Sequence, residues 1–409
     1  MPKVLSAGVL KICYMAWLIL LCSLLLAALD YAVAKSMCGD NRRTLKRCLT
    51  ILWTIDFMPQ IFTAITFIAF RDNPTWLSNL GSWILYLYMI VALSRGPFNL
   101  LFVLSKSKAL RLLGIVTGVA IVLLLIYSAS VTRTDYQINR VVIESPRVSQ
   151  NLSGYKIVQL SDLHVGAMVN PEKELADIAS ICNNENPDLL VLCGDLIDIR
   201  HEELTLPIKE QLRKLKAKDG IYSVIGNHDV GVYIKDSITF TPDNNTRQLI
   251  LQQQELGWRL LDNCSDKIYH NGDSIYITGI TYKKELQDHR HSRKLPEFDI
   301  AAAYKDVSEE CFSITLSHIP QLWDNILEET KSDLTLAGHV HSMQIKLPFG
   351  ERGISPAMLL YKRWSGLYEE NRRWLYINDG VGYAGFPMRI GARPEITVFE
   401  LQQLNSNFK

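Results

Sequence analysis

The hydrophobic positions of this chain follow two different rules, and the change comes near residue 132. Before it, apolar residues run in blocks of about 20, the length at which a helix crosses roughly 30 Å of hydrocarbon. Four blocks have that length, at residues 12–34, 49–70, 76–94 and 110–130. The first follows Lys3 and Lys11 as a signal peptide would, but its apolar run is too long for one and three further blocks come after it, so it reads as a retained span. The third is the weakest, since Arg95 and Pro97 interrupt a run that otherwise reaches Leu104. After residue 132 the apolar runs shorten and alternate between strand-like and helix-like periods, with charged, Gly- or Pro-bearing loops between them. Strands are expected at 156–160, 189–193, 222–225, 274–279, 312–316, 334–336, 374–377 and 395–401. Helices include 171–184, opened by Pro171 at the favoured first-turn position, and 321–330, while 132–151 reads as a polar connector. The pattern divides the chain into a four-helix transmembrane domain, 1–131, and an α/β domain, 132–409.

Basic residues resist translocation. Lys35, Arg42, Arg43, Lys46 and Arg47 fill the first loop, and Arg95, Lys106, Lys108 and Arg111 surround the third; Lys3, Lys11, Arg71, Arg133, Arg140 and Arg147 stand on the other side. The bias places loops one and three in the cytoplasm, and four spans then put both termini and the α/β domain outside it. A formal net charge of +1 excludes a protein that holds nucleic acid by bulk electrostatics. Eight cysteines in 409 residues make no small disulfide scaffold, and without a C-x-x-C pair they make no zinc knuckle. Cys182, Cys193, Cys264 and Cys311 are scattered through the second half, and Cys193, inside an expected strand, reads as core packing.

The expected strands end on chemistry. Ser161-Asp162-Leu163-His164 follows the first, Gly194-Asp195 the second and Gly226-Asn227-His228-Asp229 the third, and later strands lead into Ser317-His318 and Gly338-His339-Val340-His341. Open α/β sheets build their sites at these carboxyl ends. A lone Asp or His there is most often a turn or cap residue; five such exits in order, holding five of the nine histidines, are not accounted for that way. Imidazoles, carboxylates and one amide form a mixed N/O donor set that suits borderline divalent ions such as Mn²⁺, Fe²⁺ and Zn²⁺, and no cysteine joins it. Seven donors exceed one ion and serve two if a carboxylate bridges. Two ions about 3.5–4 Å apart activate water for in-line displacement at phosphorus.

Asp162-x-His164, Gly194-Asp195, Gly226-Asn227-His228-Asp229, His318 and Gly338-His339-x-His341 resemble the signature of the calcineurin-like metallophosphoesterases, over residues 155–401. The ending Gly380-Val381-Gly382, followed by Pro387-Met388-Arg389-Ile390-Gly391-Ala392-Arg393-Pro394-Glu395-Ile396-Thr397, resembles a membrane-anchored bacterial branch of that family. The resemblance implies two facing mixed β-sheets flanked by helices and two divalent metal ions, Mn²⁺ foremost, with Fe²⁺ or Zn²⁺ as alternatives. It implies one ion on Asp162, His164, Asp195 and His341 and the other on Asp195, Asn227, His318 and His339, so that Asp195 bridges. His228 is implied over the phosphate as charge stabiliser or general acid, with Asp229 orienting its ring. Where many relatives continue the last motif with Gly-Gly-Gln, this chain has Ser342-Met343-Gln344, which bears on substrate shape and leaves the ligands untouched.

Weaker signals carry an ordinary reading beside a functional one. Lys283, Lys284 and the run His289-Arg290-His291-Ser292-Arg293-Lys294 read as a solvated loop, or as a guide for an anionic head group. The stretch 359–374, with Tyr361, Lys362, Arg363, Trp364, Leu367, Tyr368, Arg372, Arg373 and Trp374, suits either a membrane interface or a loop packed on the sheet. Asn151, Asn244 and Asn263 stand in glycosylation triplets that also arise by chance. The function expected is a multi-pass, membrane-bound, dinuclear metal-dependent hydrolase of a phosphodiester, pyrophosphate or phosphomonoester bond. Its substrate is expected to be amphiphilic, lipid-linked or part of the cell envelope, with no nucleic-acid partner. The alternative is a catalytically silent metal-binding sensor or the regulatory domain of a membrane transporter. Its pathway residues are limited to Asp30 and Asp56, which fall near span ends.

Overall fold

The computed structural model describes residues 7–69, 75–231, 241–282, 300–350 and 352–404, with the backbone alone at 7–19 and 63–69. The basic run from Lys283 to Lys294 lies outside the described residues. The chain forms two compact units, Met1–Ser130 and Val131–Lys409.

The first unit contains α1 (Ala7–Cys38), α2 (Arg42–Ala69), α3 (Thr75–Leu104) and α4 (Lys108–Ser130). Among the described residues three helical stretches are long and apolar enough to cross a membrane, Leu20–Cys38, Thr75–Leu104 and Lys108–Thr134. The span expected at 49–70 lies within α2, with side chains described only as far as residue 62, a stretch that carries Asp56 and Gln60. Helix α3 runs unbroken through Arg95 and Pro97, and Arg95 has buried partners. Its guanidinium lies 3.4 Å from Asp30 on α1 and bonds Asp56 on α2, while Asn99 Nδ2 donates to Asp30 at 2.6 Å. Asp30 and Asp56 are buried among the helices, 3% and 0% exposed. Between α3 and α4, a Cβ on Gly114 or Gly118 would meet the backbone of Phe98 or Ser94, so two small residues four apart let the helices touch.

The second unit is built on twelve strands among the described residues. They are β1 (Gln137–Ser145), β2 (Lys156–Leu160), β3 (Leu189–Leu192), β4 (Ile221–Ser223), β5 (Arg259–Leu260), β6 (Cys264–His270), β7 (Asp273–Ile280), β8 (Ser313–Ser317), β9 (Leu334–Ala337), β10 (Gly366–Glu370), β11 (Arg373–Ile377) and β12 (Glu395–Gln403). They form two six-stranded mixed sheets, in the orders β1-β12-β2-β3-β4-β5 and β10-β11-β9-β8-β7-β6. Strands β2 to β5 run parallel in the first, and β7, β8, β9 and β11 in the second.

Strand alternation explains the layers. Ile157, Leu189, Val191 and Tyr222 of the first sheet share one core with Ile275, Ile277, Ile314 and Leu336 of the second. The opposite faces, Val158, Leu160, Leu190 and Leu192, pack on Leu175 and Ile178 of α5 (Pro171–Asn184) and on Leu212 of α6 (Leu206–Leu212). Covered on both faces, these central strands read as continuous apolar runs. Residues 137–145, expected within a polar connector, form β1 at a sheet edge, paired in parallel with β12 from Gln137 to Ser145. Only Ile143 and Ser145 of β1 are buried, which is why its composition looks like a linker. Trp364 and Trp374 are both buried in core clusters, so these two belong to the packed-loop reading rather than to a membrane interface.

The ion cluster yields a stability test. Removing Arg95 strands two buried carboxylates, at a cost of about 3–5 kcal/mol. In detergent, Arg95→Met in the full chain is expected to melt well below the wild type, and adding Asp30→Asn and Asp56→Asn to recover most of the loss. A thermal midpoint unchanged by Arg95→Met would show that the cluster holds nothing together.

Candidate metal centre

Five strand exits meet where the two sheets share an edge. Strands β2, β3 and β4 lead to Asp162 and His164, to Asp195, and to Asn227, His228 and Asp229; β8 and β9 lead to His318, and to His339 and His341. Neighbouring exits are bonded to each other: Asp162 N–H donates to the Gly194 carbonyl at 3.0 Å, His164 N–H to that of Asp195 at 3.1 Å, and Gly338 N–H to that of His318 at 3.0 Å. Asp162, His164, Asp195, His339 and His341 take left-handed backbone, with φ of 54, 45, 53, 72 and 51°. Asp and His tolerate that region better than most residues. Side chains also need room, and two glycines provide it: a Cβ on Gly226 would strike the Asp195 carboxylate, and one on Gly338 would strike Ser161 and Asp162.

The donor atoms fall into three overlapping sets, Asp162, His164 and His341; His164, Asp195 and His228; and Asp195, His318 and His339. Within each set they lie within 4.8 Å of one another. Asp195 Oδ2 stands between two rings, 3.7 Å from His164 Nε2 and 3.2 Å from His318 Nε2. His341 Nε2 lies 3.0 Å from Asp162 and 3.2 Å from His164 Nε2, and Asn227 Oδ1 lies 2.9 Å from His318 Nε2. His318 Nδ1 is held by the Cys193 carbonyl at 2.7 Å, which aims Nε2 at the carboxylates. All seven expected ligands are thus brought together; His339 is half-buried and the other six are buried.

Burial alone would raise the carboxyl pKa values. It is outweighed at Asp162 by the charges of His341 and His318, and at Asp195 by those of His318, His228 and His164, so both lie below the usual range. Burial likewise disfavours charged imidazole. At His164 the Asp198 bond and the charges of Asp195 and Asp198 overcome it and raise the ring to about 9. At His318 the charge of Asp195 does the same, also to about 9. Protons on these two rings balance the buried carboxylates, and a divalent cation among the same nitrogens and oxygens would replace them, so the residues present fit such an ion.

Asp229 does something other than orient His228. Its Oδ2 accepts from the N–H groups of Asp195 and Gly226 at 2.8 and 2.9 Å, and its Oδ1 from those of Leu196 and Ile197 at 3.0 and 3.2 Å. The His228 ring is held instead by the Asp198 carbonyl at Nδ1, with the Asp198 carboxylate 3.6 Å away. Asp198 escaped the sequence reading, although it follows Asp195 by only three residues. Arg389 escaped too: fully buried, it donates to the carbonyls of Gly382, Asp379 and Ala392 and lies 3.3 Å from His341 Nδ1. Its signal was an arginine among small residues in a stretch that also leads into a buried strand. Ser342 and Met343, directly after His341, take φ of 49 and 48°.

A family model described as calcineurin-like phosphoesterase matches residues 155–343. The chain is similar to the uncharacterized metallophosphoesterase YkuE of Bacillus subtilis, with 31% identity over 270 residues that cover 64% of this chain and 84% of the relative. A transmembrane protein with metallophosphoesterase domain from Danio rerio is 28% identical over 398 residues, covering 91% of this chain and 85% of its own. The UDP-2,3-diacylglucosamine pyrophosphatase LpxG of Chlamydia muridarum is 25% identical over 302 residues, covering 65% and 87%.

The two neighbours His228 and Asp229 should respond differently to truncation. Asp229→Ala leaves four buried N–H groups without their acceptor, each costing about 1–3 kcal/mol. A large fall in thermal midpoint is expected for Asp229→Ala and little change for His228→Ala. Equal melting of the two variants would refute the backbone-clamp role.

Proposed function

The chain belongs to the calcineurin-like metallophosphoesterases, and we propose that it is a membrane-bound hydrolase whose centre holds two divalent cations and cleaves a phosphodiester, pyrophosphate or phosphomonoester bond. The observation that carries this reading is the single carboxylate oxygen of Asp195 facing His164 on one side and His318 on the other. Asp162, His164, Asp195 and His341 would hold one ion, and Asp195, Asn227, His318 and His339 the other. Such a pair, with Mn²⁺ foremost, supplies charge neutralisation at the phosphoryl oxygens and activation of the attacking water. The protein's share is placement. Asp229 fixes the two loops that present Asp195 and Asn227, and Cys193 fixes the tautomer of His318. His228 stands beside the cluster with its ring held by Asp198, where an arriving phosphate favours its protonated form and it serves as charge stabiliser or general acid.

The proposed substrate is amphiphilic. One relative is named for the pyrophosphatase reaction of a diacylated sugar nucleotide. Three apolar helices also exceed what anchoring requires, since one already inserts almost irreversibly. We further propose that the catalytic unit lies outside the cytoplasm, a reading supported by the basic residues Lys106, Lys108 and Arg111 around the start of α4, whose other end, Ser130, directly precedes that unit. The transporter alternative draws on the buried charges of Asp30, Asp56 and Arg95. They are committed to one another across three helices, which makes them a clamp.

The purified full chain is expected to contain two divalent ions and to hydrolyse bis-p-nitrophenyl phosphate. Asp195→Asn should abolish activity, and His228→Ala should keep the metal content but lose about 10²–10⁴ in rate. Metal analysis finding one ion or none in an active preparation would overturn the dinuclear reading, and loss of metal from His228→Ala would overturn the role given to that ring.

A further inference from the structure

The segment that leaves the metal centre after His341 comes back to it at Tyr361, whose ring meets that of His339 edge-on at 6.2 Å. Along the way it exposes Leu347, Phe349, Ile354, Met358, Leu359 and Leu360. Phe349 is 72% and Leu359 83% exposed. The surface is built rather than incidental. Leu347 and Ile354 exchange both backbone bonds, at 2.8 and 2.9 Å, and close a hairpin. Ser355 Oγ donates to the Ser342 carbonyl at 2.6 Å and accepts from Ala357 N–H at 3.0 Å, starting the short helical turn Pro356–Leu359. That turn seats Ala357 in the core, and the same geometry directs Met358, Leu359 and Leu360 outward. Contiguous apolar surface of this kind marks contact with a membrane or a partner.

Two features choose between those occupants. The exposed side chains are aliphatic apart from Phe349, whereas protein hot spots favour Trp, Tyr and Arg. Of the four basic residues within 343–363, Lys346 pairs with Asp379 and Lys362 and Arg363 with Asp324, so the face offers anionic head groups the charge of Arg352. A bilayer is also at hand, since the unit begins at Val131, directly after α4 ends at Ser130.

We propose that this face of the hairpin and turn inserts into the head-group and upper acyl region of the bilayer that holds the chain's own helices. An amphiphile lying in that layer would then have its head group beside His339 and His341. The inference rests on the proposed membrane anchorage and is independent of turnover, so its test reads lipid contact alone.

The full chain, reconstituted in vesicles of phosphatidylcholine and phosphatidylglycerol, would carry Leu359→p-benzoylphenylalanine, or the same substitution at Phe349. After irradiation its intact mass is measured. A mass gain of one lipid is expected at both positions, and none at the control Leu206, which is 65% exposed at the start of α6. A doubled mass would show that a second copy covers the face and would overturn the proposal. An unmodified chain, or equal lipid labelling at Leu206, would overturn it as well. A lipid adduct on a chain that hydrolyses no phosphoester would leave this inference standing and remove the catalytic one.

Discussion

Asp162 and Asp195 are carboxylates taken out of water side by side, and most of what surrounds them answers the requirement that two such charges impose. Isolated burial of one would be prohibitive, so each must be given positive charge and hydrogen-bond donors. The donors are main-chain N–H groups: His339 donates to Asp162 at 3.0 Å and His228 to Asp195 at 2.8 Å. The positive charge comes from His318, on another strand exit, whose ring the charge of Asp195 raises to about 9. Each partner arrives from a different exit, so the site exists only if two sheets pack with those exits on a common edge. The parallel run of β2, β3 and β4 in one sheet and of β8 and β9 in the other meets that condition.

A second ring of buried groups keeps the first in place. Asp229 accepts from four backbone N–H groups and so ties the Asp195 loop to the Gly226 loop. Burial and the charge of Asp195 push its own carboxyl up to about 7, the consequence of a third acid so close to the other two. Arg389, drawn down to about 10 by burial, stitches the segment between Asp379 and Ala392 to the same edge. The left-handed run at Ser342 and Met343 costs backbone energy that nothing local returns. Gln344 compensates, accepting from Ala384 N–H at 2.7 Å and donating to the carbonyls of Phe386 and Met388 at 3.0 and 3.1 Å.

The membrane unit solves the same problem with a guanidinium. Asp30 and Asp56 sit on different helices, and Arg95 reaches both from a third. In hydrocarbon an unpaired charge costs more than it would at a surface, so the cluster constrains which helix faces meet. Close backbone approach at Gly114 and Gly118 constrains α3 against α4 by shape rather than charge.

Local order was legible in the sequence wherever one short segment carries the whole signal. Helix Pro171–Asn184 and strand Lys156–Leu160 stand where period and flanking residues put them, and the seven residues expected as ligands stood out because they fall in short motifs at five strand exits. Elements whose burial is one-sided or borrowed were not legible: β1 looks like a linker until β12 pairs with it, and β10 appears only as the partner of β11. Long-range pairing decided the rest. Arg95 read as an interruption because its partners lie 39 and 65 residues away in the chain, and Asp229 read as a partner for the adjacent His228 because sequence shows neighbours only. A residue's type and spacing declare what chemistry it offers; which buried groups it must neutralise is set by packing, since the demand for a partner arises only once water has been excluded.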